Sequence, residues 1–156
     1  MGGGTGKLVF QYFREGYEKD FPNLQGGSNL FIVNWDGTGL APVTNGLPDG
    51  SDFKEISPNG SKALVETIPP NYTATEGTSG VYVVDLENRD SQPLKLASGI
   101  YESEYKTATW LGNSRVVYVD QVPGGWAIFT INTDGTDPKR ISQRVNGITP
   151  REVVAT

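Results

Sequence analysis

One strand-and-turn pattern occurs three times in this chain. The copies are FIVNWDG at residues 31–37, FTINTDG at residues 129–135 and a looser YVVDLEN at residues 82–88. The residues that end the three strands, Asn34, Asp85 and Asn132, are 51 and 47 residues apart. Repeats of this length are typical of propeller blades or solenoids. The repeat therefore restricts the fold before any single residue is considered.

Each copy belongs to a unit of four short strands, which we name A to D. Asn59-Gly60 and Gly112-Asn113 are tight-turn dipeptides that predict A–B hairpins, because they tolerate positive φ. The predicted D strands are LAPVT at 40–44, PLKLA at 93–97 and PKRIS at 138–142. The spacing from each D strand to the next A strand is constant at thirteen residues, as from Thr44 to Ser57, Ala97 to Trp110 and Ser142 to Ala155.

This spacing predicts how the chain is divided. We expect residues 1–6 to be a flexible arm and residues 7–156 to be half of a β-propeller. The predicted parts of that half are blade 1 (strands B to D) at 7–44, blade 2 at 52–97, blade 3 at 105–142 and an additional A strand at 150–156. An unpaired edge strand is a template for association. We therefore expect strand 150–156 to complete blade 1 of a second copy, the alternative being a piece of a longer propeller.

Two segments carry a family resemblance. SPNGSKALV at 57–65 and LFIVNWDGTGLAPVT at 30–44 resemble the repeat signatures of the TolB-type (PD40, WD40-like) β-propeller family. Blade 2 departs from the pattern, with Glu87-Asn88 where the Asp-Gly turn would stand. The resemblance implies an all-β ring, and propellers generally have about 4–8 blades. We expect three four-stranded blades per chain and a homodimer with six blades.

Composition restricts the function. The net charge of −5 argues against nucleic acid or an anionic membrane surface as the main partner. The chain has no cysteine and no histidine, so thiolate chemistry, Cys-ligated metals and the commonest general base are missing. We expect no catalytic residues, no cofactor and no bound metal. No apolar run approaches the roughly 18 residues of a membrane-spanning helix.

The residues are compatible with more than one cellular compartment. The first residues, MGGGTG, lack the basic and apolar regions of a signal peptide. The TolB-type resemblance implies a periplasmic or extracellular location. A chain without cysteine suits either redox environment.

Candidate binding residues lie in the B–C and D–A loops, which share one end of a propeller. They are Tyr17 and Phe21 in the first B–C loop, Tyr72 in the second, and Tyr101 in a D–A loop. Aromatic residues next to acidic ones suit recognition of a protein or peptide, because tyrosine provides contact area at low entropic cost. The alternative is that these loops only cap the blades.

A second candidate is the central channel, which A strands line. The thirteen-residue register makes Lys54, Thr107 and Glu152 equivalent, so they are predicted to line that channel. Such residues suit an ion or a small polar ligand, or they are solvated or paired with one another. The Asp-Gly segments hint at calcium but lack the alternating acids of a calcium loop, and a hairpin turn explains them. Trp110 and Trp126 are expected to pack between blades.

The expected function is a non-catalytic scaffold that binds a protein or peptide. TolB-like propellers commonly dock partners, so the resemblance implies the same here. One alternative is the propeller portion of a larger enzyme similar to the prolyl-oligopeptidase-type peptidases. Another is a propeller that binds a small ligand or sugar, which would require aromatic pockets repeated in every blade.

Overall fold

The computed structural model describes residues 6–13, 28–44, 47, 51–67, 80–88, 91–98 and 107–143. Within these ranges the regular structure consists of β-strands. The strands are β1 (Lys7–Phe13), β2 (Ser28–Asn34), β3 (Ala41–Pro42), β4 (Ser51–Ile56), β5 (Lys62–Thr67), β6 (Gly80–Asp85), β7 (Leu94–Ala97), β8 (Ala108–Leu111), β9 (Arg115–Val122), β10 (Gly125–Asn132) and β11 (Lys139–Arg140). No helix in this part of the chain is long and apolar enough to cross a membrane.

The strands form three antiparallel sheets in chain order. Sheet 1 contains β1 to β3, sheet 2 contains β4 to β7 and sheet 3 contains β8 to β11. Consecutive strands are hydrogen-bonded neighbours in every sheet, so each sheet is a meander. The prediction of an all-β fold with propeller-type blades is confirmed. Completion of the ring by a second chain, and the blade boundaries drawn above, stay predictions.

The outer D strands are shorter than the sequence predicts. β3 covers only Ala41–Pro42, and β11 covers only Lys139–Arg140. Beyond these residues the inner strand donates to a hydroxyl and not to a backbone carbonyl, since the Leu30 N–H donates to Thr44 Oγ1 at 3.0 Å and the Ile128 N–H donates to Ser142 Oγ at 2.8 Å. The regular strand pairing therefore ends there, although the Val43 N–H still donates to the Leu30 carbonyl oxygen and the Ile141 N–H to that of Ile128.

The Asp-Gly segment after β2 forms a hydrogen-bonded turn. The N–H of Asn34 donates to the carbonyl oxygen of Thr38 at 2.9 Å, and the Gly37 N–H donates to the Asn34 carbonyl oxygen at 2.8 Å. Asp36 Oδ1 accepts the backbone N–H of Thr38 at 2.9 Å and its hydroxyl at 2.7 Å. Gly37 has a φ of 83°, which glycine adopts without strain. This turn therefore uses the Asp36 oxygen for its own hydrogen bonds.

The segment after β10 repeats this turn. Asp134 Oδ1 accepts the N–H and the hydroxyl of Thr136 at 2.9 and 2.6 Å, and Gly135 has a φ of 82°. These hydrogen bonds lower the pKa of Asp36 and of Asp134. Across the described ranges, no three His, Cys, Asp or Glu residues are grouped so that they could hold a metal ion.

Two apolar clusters join the sheets. The first lies between sheets 1 and 2 and contains Leu30, Ile32, Val43, Leu47, Ala63, Val65, Tyr82, Val84 and Leu86. The second lies between sheets 2 and 3 and contains Leu64, Val81, Val83, Leu96, Ala108, Trp110, Val116, Tyr118 and Ile131. Trp110 is buried there, so the prediction that it packs between blades is confirmed, whereas Trp126 is half-buried and belongs to neither cluster.

Sheet 2 is buried on both faces. Side chains alternate along a strand, so Ala63 and Val65 join the first cluster while Leu64 joins the second. Tyr82 and Val83 divide in the same way on β6. This double burial explains why β5 and β6 are continuous apolar runs and not alternating ones.

Candidate functional site

The inner ends of sheets 2 and 3 carry a cluster of polar side chains. We define this inner-strand cluster by its residues, which are Asp52, Lys54, Glu55, Glu66, Thr107 and Thr109. Most of them lie on β4 and β8, the first strands of their sheets, and Glu66 lies on β5. β5 contacts β8, so the first strand of sheet 3 packs against the second strand of sheet 2.

Lys54 forms two ion pairs in this cluster. Its Nζ lies 2.7 Å from Asp52 Oδ2 and 3.8 Å from Glu66 Oε2. Only 10% of the Lys54 side chain and 7% of the Glu66 side chain are exposed, whereas half of Asp52 is exposed. A buried ammonium needs a nearby opposite charge, and here it has two.

Glu66 connects the two sheets. Its Oε1 accepts the backbone N–H of Thr107 at 2.9 Å, from a residue 41 positions further along the chain. A second connection is made by the Thr109 hydroxyl, which donates to Glu55 Oε2 at 2.9 Å. The start of β8 is therefore held by two carboxylates of sheet 2.

Burial controls the protonation of Glu66. Removal from water raises the pKa of Glu66 above its ordinary value. The positive charge of Lys54 and the hydrogen bonds from Thr107 and Ala108 act in the opposite direction, but the net shift is upward. The cluster therefore contains a carboxylate that takes up a proton more readily than a solvated glutamate does.

The first inter-sheet boundary has a neutral counterpart of this carboxylate. Gln11 on β1 and Glu66 on β5 occupy the same place in the repeat, each on the second strand of a blade and four residues after a lysine. Gln11 Oε1 accepts the N–H of Phe53 at 2.7 Å, and its Nε2 donates to the Ser51 carbonyl oxygen. Both side chains thus reach from one sheet to the first strand of the next.

Two of the three predicted channel residues, Lys54 and Thr107, contact Glu66, which was not among the residues predicted from the sequence. Lys54 pairs with its carboxylate, and Thr107 donates its N–H to the same group. A sequence signal existed, because a charged residue within the apolar run ALVET breaks the pattern of a strand buried on both faces. Glu152 lies outside the described residues, so a channel lined by all three residues stays a prediction.

The four loop candidates also lie outside the described residues. Tyr17 and Phe21 belong to the segment between β1 and β2. Tyr72 belongs to the segment between β5 and β6, and Tyr101 to that between β7 and β8. Their role as binding residues stays a prediction.

Comparison with known proteins identifies the type of fold. No protein-family model matches the chain. The chain is similar to the crystal structure of TolB from Acinetobacter baumannii, with a TM-score of 0.52 and 13% identity, over 88% of this chain and 30% of that one. A protein assigned as TolB from Agrobacterium tumefaciens matches with a TM-score of 0.48 and 18% identity, over 74% of this chain and 38% of that one.

The similarity to the Acinetobacter baumannii structure defines the class of fold, a TolB-like β-propeller. The resemblance predicted from the repeat signatures is confirmed at that level. The chain spans about a third of the length of the matched structures.

Proposed function

We propose that this chain is a non-catalytic β-propeller scaffold that presents its B–C and D–A loops to a protein or peptide. The observation that supports it most is the stacking of three sheets, with the middle sheet buried on both faces and a polar side chain bridging each boundary. Such a stack holds the loops on a firm support. Loops on a rigid scaffold are where binding residues concentrate.

The connections differ between the two ends of the sheets. At one end the strands are joined by tight turns, such as those after β2 and β10. At the other end the segments 14–27 and 68–79 join β1 to β2 and β5 to β6, while β9 and β10 are joined by Pro123-Gly124 alone. The candidates Tyr17, Phe21, Tyr72 and Tyr101 all fall in connections at this second end. We propose that a partner binds there.

A peptide-selection experiment tests this assignment. Peptides selected on the wild-type chain from a random phage-displayed library should bind at least about tenfold more weakly to a variant with Tyr17→Ala, Tyr72→Ala and Tyr101→Ala, because aromatic anchors carry much of the affinity of an interface. The control is Trp35→Ala, which removes an exposed aromatic residue at the opposite end. Equal binding to the triple variant and the wild type would contradict the loop assignment.

We also propose that a second copy completes the ring. Sheets 2 and 3 have four strands each, whereas sheet 1 has three in the described part of the chain, and β1 lies at its edge. The strand predicted at residues 150–156 would pair with β1 of the partner, so that two chains of three blades form one closed ring. Closed symmetry of this kind is the commonest arrangement of oligomers.

Deletion of residues 150–156 tests the strand exchange. The wild-type chain should have twice its sequence mass of 16.9 kDa by light scattering, and the truncated chain should be monomeric and less stable to heat. An unchanged mass and melting temperature after truncation would contradict the exchange.

A specific observation favours one alternative, in which this chain is part of a longer protein. The chain spans only 30% and 38% of the matched structures, as a propeller portion of a longer protein would. A larger enzyme with a separate catalytic domain, similar to the prolyl-oligopeptidase-type peptidases, belongs to this alternative. The length of the natural reading frame separates it from the scaffold proposal.

A further inference from the structure

The turns after β2 and β10 share one backbone structure and nearly one sequence. They read NWDGTG at residues 34–39 and NTDGTD at residues 132–137, and we name them the sheet 1 turn and the sheet 3 turn. In each turn the asparagine Nδ2 donates to the threonine Oγ1, at 3.0 Å in the first and 2.9 Å in the second. The last residue of each has a positive φ, 68° at Gly39 and 52° at Asp137. The two turns can therefore be compared residue by residue.

Trp35 is a side chain that this turn structure does not need. The sheet 3 turn has Thr133 at the same position and forms the same hydrogen bonds. The backbone contacts of the two residues also correspond, because the Trp35 N–H donates to the Gly6 carbonyl oxygen at 3.0 Å and the Thr133 N–H donates to that of Ser114 at 2.9 Å. The Trp35 side chain is 68% exposed. Its indole is therefore open to a ligand and dispensable for the turn.

The neighbouring Asp36 has an unused carboxylate oxygen. Its Oδ1 accepts both hydrogen bonds from Thr38, and its Oδ2 has no partner among the described residues. Asp85 and Asp137, which lie at the same end of sheets 2 and 3, are instead ion-paired with lysine or arginine side chains. The pKa of Asp36 is lowered by its hydrogen bonds, so the group is ionised at neutral pH. Its charge is therefore available to a ligand.

An exposed indole beside an available carboxylate suits a cationic ligand. Among aromatic side chains, tryptophan attracts a cation to its ring face most strongly. A guanidinium group stacks on an aromatic ring and also hydrogen-bonds to a carboxylate, so one arginine side chain can use both groups. The net charge of −5 favours the approach of a basic partner. The chemistry of the sheet 1 turn therefore fits arginine or lysine better than an apolar or acidic group.

We propose that the sheet 1 turn is a second interaction surface, which binds an arginine or lysine side chain of a basic protein segment through Trp35 and Asp36. The turn lies at the opposite end of the sheets from the B–C and D–A loops, so this partner does not compete with one bound at the loops. The assignment depends on neither the number of blades nor the presence of a second copy. The sheet 3 turn, which has no tryptophan, provides a comparison within the same molecule.

A nuclear magnetic resonance titration tests the proposal on the full chain. The probe is an acetylated and amidated tetra-arginine peptide. Three tryptophans give three indole N–H signals, and that of Trp35 is the one absent from a Trp35→Thr variant. The peptide should shift the Trp35 indole signal and the Gly37 and Thr38 amides saturably. The Gly135 and Thr136 amides of the sheet 3 turn should report binding at least about twofold weaker, because the cation–π contact is missing there.

Two substitutions separate the contributions of the ring and the charge. Trp35→Thr gives the sheet 1 turn the residue of the sheet 3 turn, so the fold should be retained while binding measured at the Gly37 amide weakens about two- to fivefold. Asp36→Asn keeps an oxygen acceptor for Thr38 and removes the charge, so binding should weaken by up to about fivefold and depend less on salt. A tetra-citrulline peptide has nearly the same shape without the charge and should leave the spectrum unchanged.

Three results would overturn the proposal. They are equal binding by the wild type and Trp35→Thr, equal shifts of the two turns, which would mean a general attraction to acidic turns, and an equal response to the citrulline peptide. The triple loop variant should bind tetra-arginine as the wild type does. In the phage selection, peptides that the triple variant retains and Trp35→Ala loses belong to this turn, and peptides with the opposite behaviour belong to the loops. The two surfaces can therefore fail independently.

Discussion

The two boundaries between sheets use the same position of the repeat with different chemistry. At the boundary of sheets 1 and 2, the neutral Gln11 accepts the N–H of Phe53 and donates to Ser51. At the boundary of sheets 2 and 3, the carboxylate of Glu66 accepts the N–H of Thr107 and pairs with Lys54. Both satisfy backbone groups at the start of a following sheet, but only the second does so with a charge.

This difference separates the effect of side-chain length from the effect of side-chain charge. The repeat requires a long polar side chain that reaches the next sheet, and an amide or a carboxylate meets that need. A buried carboxylate, however, must be compensated, and its loss leaves Lys54 with less compensation. The second boundary should therefore be more sensitive to substitution and to pH than the first.

The largest expected effect is from truncation of the two bridging residues. Glu66→Ala should lower the free energy of unfolding by about 3–4 kcal/mol, because removal of one member of a buried ion pair leaves the other insufficiently paired. Gln11→Ala should cost about 1–2 kcal/mol, as expected when buried backbone groups lose a neutral partner. Urea unfolding of both variants measures the difference.

Exposed Glu87 provides a control for this measurement, since Glu87→Ala should change stability by less than about 0.5 kcal/mol. Equal losses for Glu66→Ala and Gln11→Ala would show that charge adds nothing at the second boundary.

A smaller effect is expected in the pH dependence. Because burial raises the pKa of Glu66, the native state holds this proton more tightly than the unfolded state does. Its contribution to stability is complete below the ordinary glutamate pKa and is lost as the pH rises through the raised value. Glu66→Gln should remove this decline, so the stability of the variant should vary less with pH above about 4.3.

The reciprocal substitution sharpens the same test. Gln11→Glu should introduce a similar decline at the first boundary, where the new carboxylate would face the Ser51 carbonyl oxygen that the Gln11 amide now donates to. The lowered pKa of Asp85 acts in a lower pH range, below the ordinary aspartate value, and is common to all the variants. Parallel pH profiles for the wild type and Glu66→Gln would contradict the assignment of the decline to Glu66.

The smallest effect is expected at the Asp-Gly turns, where sheets 1 and 3 do not differ. Asp36→Ala and Asp134→Ala each remove the acceptor for a threonine N–H and hydroxyl. The two variants should lower the melting temperature slightly and equally. The pKa of each carboxyl is lowered, so the contribution is present above the ordinary aspartate pKa and is lost as the pH falls. A large difference between the two variants would mean that the turns are not equivalent.

Much of the fold was predictable because its signals are local. The Asn59-Gly60 and Gly112-Asn113 dipeptides predicted turns with positive φ, and Gly60 and Gly112 have it. The apolar runs predicted strands, and the spacing of the repeat predicted how many sheets they form. The outer strands were predicted too long, since the hydroxyls of Thr44 and Ser142 replace backbone acceptors beyond the paired residues, and this depends on where the neighbouring strand lies.

The candidate site was predictable only in part. The thirteen-residue register selected Lys54 and Thr107, and the structure brings both to Glu66. Glu66 itself was not selected, because its partners lie on two other strands and one of them is a backbone N–H. Every residue except proline has a backbone N–H, so the sequence does not show which of them will donate to Glu66.

The sequence by itself determined the repeat, the turns and the face of each strand, because a period of two assigns alternate side chains to opposite faces. Only the tertiary structure decided which faces are covered. Leu8 and Ala63 occupy the same position in the repeat, yet Leu8 is exposed and Ala63 is buried, since sheet 2 has a preceding sheet within the described chain. Burial and ion pairing depend on the distance between sheets, and that distance is a property of their packing.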